Sequence, residues 1–320
     1  MQGRSERFRP TFASLAESVP GWAQPGSDQR VTLVVPFPAG GTIDTVGRML
    51  AQSLSERTGV HFAAENCPGG NATIGSTSVA RAAPDGRTLL LNASTFITSA
   101  YFIQPPPYDP ATDFTPIALV AKAPLSVAVS QDAPFADMRS MLVFAKQNPG
   151  KLRFAVGSPG SAGHFATELL QRNWRIDVQV KHYTGADTVY KNLRAGQVEV
   201  FIDPVLGATA VQKAGKIRIL AVTSGTRLPM LPNVPTVGET ITGFEFFSWY
   251  GLWGPAGLPA EVTMRINRDV NTALLERMKQ WLEWIGIQLA GGTPDEFARF
   301  QAAQAERAFA LLKETNMTAP

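Results

Sequence analysis

Short apolar runs rich in β-branched residues alternate with amphipathic stretches, a pattern typical of α/β folds with parallel strands. In the first series the runs at 31–35, 62–64, 88–91 and 117–120 predict strands. The stretch after residues 37–41 predicts a helix, because Val46, Met49, Leu50 and Leu54 recur at helical spacing. A second helix is expected at 74–82, after the glycine-rich loop 66–71.

A second series begins with the apolar run at 125–129. Its strands are expected at 152–156, 178–180, 198–202 and 217–222, and its helices at 138–147 and 164–174. An aromatic strand at 246–253 follows, and then a helix that begins near Pro259. A capping box at 293–296 opens the last helix.

Proline is dense in 105–124 and again in 227–243, and we interpret these segments as two crossings between two lobes. The expected division is residues 1–30 as a leader or tail, 31–123 with 226–320 as the first lobe, and 124–225 as the second. Each lobe is expected to contain a mainly parallel sheet flanked by helices, with a cleft between the lobes.

The amino-acid composition excludes several classes of protein. Of 320 residues, 44% are hydrophobic and 17% charged, which allows a large core. The net charge is only +3 and no Lys/Arg run exceeds two residues, so we expect no nucleic-acid partner. Cys67 is the single cysteine, which excludes an internal disulfide and a thiolate metal site. No apolar run approaches the roughly 18 residues of a membrane helix.

Residues 1–30 contain features of a secretory leader. Arg4, Arg7 and Arg9 resemble its basic region, and small residues at 21–23 resemble a cleavage site. Glu17 interrupts the stretch between them, so the leader is poorly formed.

Two loops have the same design and predict an anion site. Residues 37–44 and 158–164 each follow a strand, contain glycines and open a helix. The first N–H groups of a helix are unpaired and carry partial positive charge, and glycines let an anion approach them closely. The hydroxyls of Thr42, Ser158 and Ser161 would add donors. The alternative is that these glycines serve only as turns.

No catalytic or metal-binding motif is present. No two of the three histidines, His61, His164 and His182, lie within four residues of each other, which excludes a helical metal pair. Neither loop is a nucleotide fingerprint, and no nucleophile elbow occurs. His164 could donate to an anion or be structural, and the same holds for His182. Asp44 is interpreted as a support for its own loop, and Asp203 as similar, each with a smaller chance of contacting a ligand.

A series of motifs running from 31 to about 300 resembles the Bug receptors, the substrate-binding proteins of tripartite tricarboxylate transporters. The motifs, in chain order, are 36–44 (PFPAGGTID), 65–70 (ENCPGG), 83–90 (APDGRTLL), 108–116 (YDPATDFTP), 148–151 (NPGK), 157–164 (GSPGSAGH), 196–198 (GQV), 231–236 (LPNVPT) and 249–256 (WYGLWGPA).

The resemblance implies a type II-like periplasmic binding protein fold, with the two lobes closing on a small carboxylate. It also implies delivery to integral membrane subunits of the transporter. We expect a periplasmic, monomeric, non-enzymatic receptor with no cofactor and no metal. The ligand is expected to be an aliphatic di- or tricarboxylate or an aromatic acid such as terephthalate. A sensor that presents its ligand to a signalling partner stays open as an alternative, and so does an α/β enzyme such as a hydrolase.

The resemblance also assigns site residues. In the family the two loops grip one ligand carboxylate and more variable residues meet its far end. The expected ligand-binding residues are Phe37, Ala39, Gly40, Gly41, Thr42, Asp44, Ser94, Thr95, Phe96, Ser158, Ser161, Ala162, Gly163, His164, Tyr183, Thr184, Gly185 and Asp203. Phe96 is expected to stack on an aromatic ligand. At 181–185 His182 replaces the family's proline and Thr184 its lysine, so ligand identity is expected to depend on this segment.

Overall fold

The computed structural model describes residues 30–183 and 185–315. Within these ranges the strands are β1 (Arg30–Val35), β2 (His61–Asn66), β3 (Thr88–Ala93), β4 (Phe114–Ser130), β5 (Arg153–Val156), β6 (Gln179–His182), β7 (Val200–Pro204), β8 (Ile217–Val222), β9 (Phe247–Pro255) and β10 (Gln288–Leu289). The helices are α1 (Thr42–Thr58), α2 (Thr73–Ala80), α3 (Thr95–Ser99), α4 (Met138–Gln147), α5 (Ala162–Trp174), α6 (Ala186–Arg194), α7 (Val205–Lys213), α8 (Ala260–Ala273), α9 (Lys279–Trp284) and α10 (Pro294–Thr315). A 3-10 turn at Ala100–Phe102 follows α3, and a π-helical turn at Leu274–Met278 joins α8 to α9.

The strands form two sheets that share β4. The first sheet has the order β2-β1-β3-β9-β4, with β10 also on β4, and the second has the order β4-β7-β5-β6, with β8 also on β4. The outer strands of each sheet pair in parallel, as the alternating pattern predicts. The pairs that involve β4 or β9 are antiparallel. Each sheet with its helices makes one lobe.

Strand β4 corrects the prediction of two separate strands at 117–120 and 125–129. It is continuous from Phe114 to Ser130, and its partner changes from β9 to β7 between Pro124 and Leu125. Proline has no N–H to donate, and here it occupies the position where the strand leaves one sheet for the other. The strand itself is therefore one of the connections between the lobes.

Each lobe has apolar packing on both faces of its sheet. In the first lobe α1 and α8 cover one face and α2, α3 and α10 the other. In the second lobe α4 and α5 cover one face, and α6 and α7 the other. Leu33 and Leu91 are fully buried under α1, and burying such a side chain stabilises the fold by about 1.5–3 kcal/mol.

Thr223 is hydrogen-bonded to the other two of the three segments that join the lobes, at Leu125 and Phe246. Its N–H donates to the Leu125 carbonyl at 2.9 Å, and its hydroxyl donates to the Phe246 carbonyl at 2.6 Å. The Phe246 N–H donates back to the Thr223 carbonyl at 3.0 Å. Because Thr223 is fully buried, these hydrogen bonds are shielded from water and hold the three joining segments, called the hinge below, in register.

Two boundaries differ from the expected division of the chain. Arg30, expected in the tail, is the first residue of β1 and pairs with His61. Val237 and Phe244 pack in the second core, so that core takes residues from beyond 225, where the second lobe was expected to end. The division into lobes by residue range stays a prediction. Among the described residues no helix is both long and apolar enough to cross a membrane.

Candidate functional site

The loop between β1 and α1 is held in shape by Asp44. The buried Asp44 carboxylate accepts hydrogen bonds from the Gly40 N–H at 2.9 Å, Arg48 Nε at 3.1 Å and Asn66 Nδ2 at 2.8 Å. Gly40 has φ +89°, a conformation that favours glycine. Asn66 also donates to the Phe37 carbonyl at 3.1 Å, so both ends of the loop are fixed.

The pKa of Asp44 shows that the carboxylate is stabilised as an anion. Burial alone would raise this pKa, but the hydrogen bonds from Arg48, Gly40 and Asn66 outweigh it and lower the pKa below its usual range. Asp44 therefore supports its own loop, and its contact with a ligand stays a prediction.

The N-terminus of α1 has unused hydrogen-bond donors. No described residue accepts a hydrogen bond from the N–H groups of Thr42, Ile43 or Asp44. Thr42 is 6% exposed, and its Oγ1 lies near the Tyr250 hydroxyl without completing a hydrogen bond to any described residue. An unpaired buried hydroxyl costs roughly 1–3 kcal/mol, so this position is suited to a ligand that supplies the missing partner.

The second loop, between β5 and α5, is built differently. The Ser161 hydroxyl caps α5 by accepting from the His164 N–H at 3.2 Å, and Nδ1 of His164 accepts from the Gly160 N–H at 3.2 Å. This assigns the remaining proton of neutral His164 to Nε2. Burial and the nearby His182 lower the pKa of His164 to about 4, so the ring is neutral at pH 7. No described residue accepts from the N–H groups of Ala162 or Gly163.

Two hydrogen bonds join the second loop directly to the first lobe. Thr98 Oγ1 of α3 donates to the Gly160 carbonyl at 2.8 Å, and Asn71 Nδ2 donates to the Pro159 carbonyl at 2.9 Å. These contacts bring the carboxyl ends of β2, β3 and β5 together, where ligands of open α/β sheets bind. Neither Thr98 nor Asn71 was predicted from the sequence.

Asn71 belongs to a conformationally unusual segment. Gly69, Gly70, Asn71 and Ala72 all have positive φ, between +53° and +124°. For Asn and Ala such φ values are uncommon and strained. The Asn71 Oδ1 atom is buried without a hydrogen-bond partner among the described residues. The sequence signal that could have indicated this segment is its glycine-rich composition at the end of β2. Like the other two loops, it follows the carboxyl end of a strand.

Asp203, at the end of β7, lies at the boundary with the first lobe. Its Oδ2 accepts from the Tyr190 hydroxyl at 3.0 Å. Burial, with a smaller contribution from Asp187, outweighs that hydrogen bond and raises the pKa of Asp203 to about 7. Its charge in turn adds to the effect of burial in raising the pKa of Tyr250 on β9. No cation pairs with Asp203 among the described residues.

The segment at the end of β6 places His182 against the second loop. The rings of His182 and His164 meet edge to face, with centroids 5.2 Å apart. Burial lowers the pKa of His182, so its neutral form is favoured. Gly185 has φ +94° and donates to the Gly157 carbonyl at 2.7 Å, while Tyr183 is half-buried. Thr184 lies outside the described residues.

One expected contact is wrong. Phe96 is fully buried, with its ring among Tyr108, Phe114 and Trp253 at centroid distances of 4.4–5.4 Å. It has no free face to stack on a ligand, because the first turn of α3 points the ring into the core of the first lobe.

The other expected site residues divide by their exposure and role. Thr95 is buried, and Ser94 is half-buried with its hydroxyl 3.4 Å from that of Ser248. Gly163 is a packing position, because a Cβ there would collide with the Ile202 carbonyl. The first-loop residues Ala39 and Gly40 are exposed, and Phe37, Gly41 and Ser158 are half-buried.

Comparisons with known proteins identify a family and several solved structures that this chain resembles. The sequence profile described as "Tripartite tricarboxylate transporter family receptor" matches residues 46–317. The "UPF0065 protein in tcbD-tcbE intergenic region" of Pseudomonas sp. (strain P51) is 35% identical over 90% of this chain and 87% of its own. The solved structure "R. palustris Rpa4515 with adipate" superimposes with a TM-score of 0.85 at 32% identity, covering 91% of this chain and 98% of that chain. The periplasmic binding protein BugD gives a TM-score of 0.81 at 31% identity, covering 91% and 99%. These likenesses confirm the predicted two-lobe α/β fold.

Proposed function

The chain belongs to the tripartite tricarboxylate transporter receptor family, and on that premise we propose that it captures a small aliphatic dicarboxylate between its lobes. The resemblance to the Bug receptors is thereby confirmed. The family and the structural neighbours are binding proteins, and we extend this to a chain without catalytic activity. We further propose that it works in the periplasm and delivers its ligand to membrane subunits of a transporter.

The observation that carries the proposal is the pair of unpaired helix N-termini in the candidate site. At α1 the free N–H groups of Thr42 and Ile43 stand beside a buried hydroxyl without a partner. At α5 the N–H groups of Ala162 and Gly163 are free as well. A carboxylate has two oxygens with about four acceptor positions, enough to satisfy donors from both lobes at once.

An aliphatic acid is favoured over an aromatic one. The ring that would have stacked on an aromatic ligand, Phe96, is buried in the core of the first lobe. Rpa4515, at a TM-score of 0.85, was solved with adipate, a flexible six-carbon dicarboxylate. We therefore take adipate as the first ligand to test and terephthalate as its aromatic counterpart.

Isothermal titration calorimetry with adipate, terephthalate and adipamide tests the proposal. We expect adipate to bind more tightly than terephthalate, and adipamide not to bind because it carries no charge for the helix N-termini. Saturating adipate at about 100 times its Kd should raise the free energy of unfolding by about 2.7 kcal/mol. If no mono-, di- or tricarboxylate gives heat or a thermal shift, the proposal is wrong.

Gly41→Leu tests the location of the site. An added Cβ at Gly41 would meet only the Pro38 carbonyl, at 4.0 Å, so the fold should tolerate the change. The larger side chain would cover the N-terminus of α1, and we expect adipate binding to be lost. Ser161 substituted by a bulky residue should have the same effect at α5. The control is Ala303→Leu, at an exposed position of α10, which should leave the affinity unchanged. Intact affinity in both site variants would refute the two-loop site.

A further inference from the structure

A cavity of about 740 Å³ lies beside the hinge, on the side where α10 packs against α5. Its walls come from both lobes, with Ile97 of α3 on one side, Phe165 of α5 on the other, and Phe247 from the joining strand between them. Ser94 and Ala162 line its edge and are also expected residues of the carboxylate site. The cavity thus meets that site at the N-terminus of α5, and no residue at the N-terminus of α1 lines it.

The inner surface of this hinge cavity is aromatic. Trp249 is 3% exposed, and its ring meets that of Phe300 edge to face with centroids 5.3 Å apart. Phe246 and Phe247 are half-buried and also face the cavity. The volume lies in the range of about 300–1,000 Å³ found for pockets that hold organic ligands. The surface is therefore suited to a flat apolar group.

The hinge cavity also has uncompensated positive charge. Lys122 Nζ lies 5.2 Å from the centroid of the Phe300 ring and forms no ion pair with a described residue. Arg307 of α10 likewise has no ion pair among the described residues. In contrast, Arg172 is paired with Glu314 at 2.6 Å. Glu245 also lines the cavity and forms no ion pair with a described residue, so the three cations exceed the two carboxylates by one charge, which is available to an anionic occupant.

We propose that the hinge cavity is a second binding site, for an amphipathic organic anion with a flat apolar body and a single carboxylate. The apolar body would be desolvated against the half-buried Phe246 and Phe247, and the carboxylate would pair with Lys122. A cation over an aromatic ring is partly desolvated already, so pairing it with a carboxylate costs less than pairing a fully hydrated lysine.

An occupant of the hinge cavity would also be coupled to the first ligand, and this step rests on the proposed function. The walls belong to both lobes, so the anion would bind the arrangement in which α3 and α5 are close more tightly than an opened one. A ligand shifts a conformational equilibrium by its difference in affinity for the two states, and the coupling is reciprocal. We expect the hinge anion and adipate to raise each other's affinity.

Titration with 2-naphthoate, in the absence and presence of saturating adipate, tests the second site. We expect one equivalent to bind in both conditions, several-fold more tightly with adipate present. Lys122→Met should weaken 2-naphthoate binding about tenfold, whereas Lys313→Met, on the same helix as Arg307 but outside the cavity, should not. Ala308→Trp should fill the cavity and abolish binding, with the exposed Ala303→Trp as its control. The uncharged 2-naphthamide should bind more weakly than 2-naphthoate.

Several results would overturn the second site. Displacement of 2-naphthoate by adipate, or its loss in Gly41→Leu, would place it in the carboxylate site instead. Equal affinity in Lys122→Met would remove the charge pairing. A concentration-dependent dimer that Ala308→Trp dissociates would assign the cavity to a second copy of the chain. If adipate does not bind, the proposed function and the coupling are both wrong. The second site would still be supported if one equivalent of 2-naphthoate binds and Lys122→Met weakens that binding.

Discussion

Gly160→Ala is the sharpest test of whether the contacts between the lobes matter for binding. Gly160 has φ +70°, and a Cβ there would lie 2.5 Å from Phe102 Cε2 and 2.8 Å from Thr98 Oγ1. Both neighbours belong to the first lobe, whereas Gly160 belongs to the second. Rotation of the Phe102 ring would relieve the first contact, but Thr98 Cβ, at 3.0 Å, also lies close, so we expect the lobes or α3 to shift as well.

The size of the effect follows from two contributions. Moving Thr98 away from the Gly160 carbonyl loses one hydrogen bond, worth about 1 kcal/mol. Overpacking against Phe102 costs a further 1–2 kcal/mol, at about the lower end of the range for added methyl groups. Together these disfavour the closed arrangement by roughly 2–3 kcal/mol, which raises the Kd for adipate about 30- to 150-fold because each 1.4 kcal/mol is tenfold.

A matched control separates this clash from backbone strain. Gly196 has φ +65°, but a Cβ there would meet no heavy atom within 4 Å. Gly196→Ala and Gly160→Ala therefore share the left-handed penalty of about 1–2 kcal/mol on folding, whereas Gly160→Ala alone disturbs the lobes. The assays are calorimetry with adipate for the Kd and urea unfolding for the stability. Equal Kd values in the two variants would refute the idea that closure depends on this contact.

Three further predictions concern charge and packing. Asp203→Asn should remove a pH dependence of the folding stability. The pKa of Asp203 is raised to about 7, above the roughly 3.9 of an unfolded chain. Between these values the folded state keeps a proton that the unfolded state has lost, so the stability falls as the pH rises. Urea unfolding at pH 4.5 and 8 should show that the variant lacks this loss of stability, which is at most about 4 kcal/mol. An equal loss of stability between the two pH values in parent and variant would contradict the raised pKa. Asp44→Asn should weaken adipate binding and lower stability by about 1–2 kcal/mol, because it weakens the hydrogen bond from Gly40, and thermal unfolding with calorimetry measures both. Gly163→Ala should lower the free energy of unfolding by about 3 kcal/mol, because its Cβ would collide with the Ile202 carbonyl; a stability within 1 kcal/mol of the parent would show that α5 moves freely.

The sequence predicted elements best where one periodicity extended over the whole element. Helix α4 and strand β8 have the same bounds as predicted, 138–147 and 217–222. Helices α6 and α7 were missed because they are short and, in α7, contain Gly207 and β-branched residues that are weak helix formers. Packing of α7 against β8 provides the stability that its local sequence lacks.

In the candidate site, too, local patterns were predicted and contacts between distant residues were not. Both glycine loops were predicted because their signal lies within a few consecutive residues. The hydrogen bonds of Asn71 and Thr98 to the second loop join residues 88 and 62 positions apart, and local patterns carry no information about such pairs. Phe96 was assigned through the family resemblance, by its position after a predicted strand, whereas helix geometry turns its ring into the core.

The tie at Thr223 has a consequence for how such proteins diversify. The second sheet and its helices lie in one piece of the chain, between Leu125 and Phe246. The same piece also contacts the first lobe at Met230, whose N–H donates to the Trp284 carbonyl at 3.2 Å. Because Leu125 and Phe246 are both hydrogen-bonded to Thr223, the two ends of this piece lie side by side. The second lobe is thus built as a cassette, and a relative's cassette with the same buried threonine could be grafted onto this first lobe. Recombination at these two points would exchange half of the binding cleft in one step and leave the hinge intact.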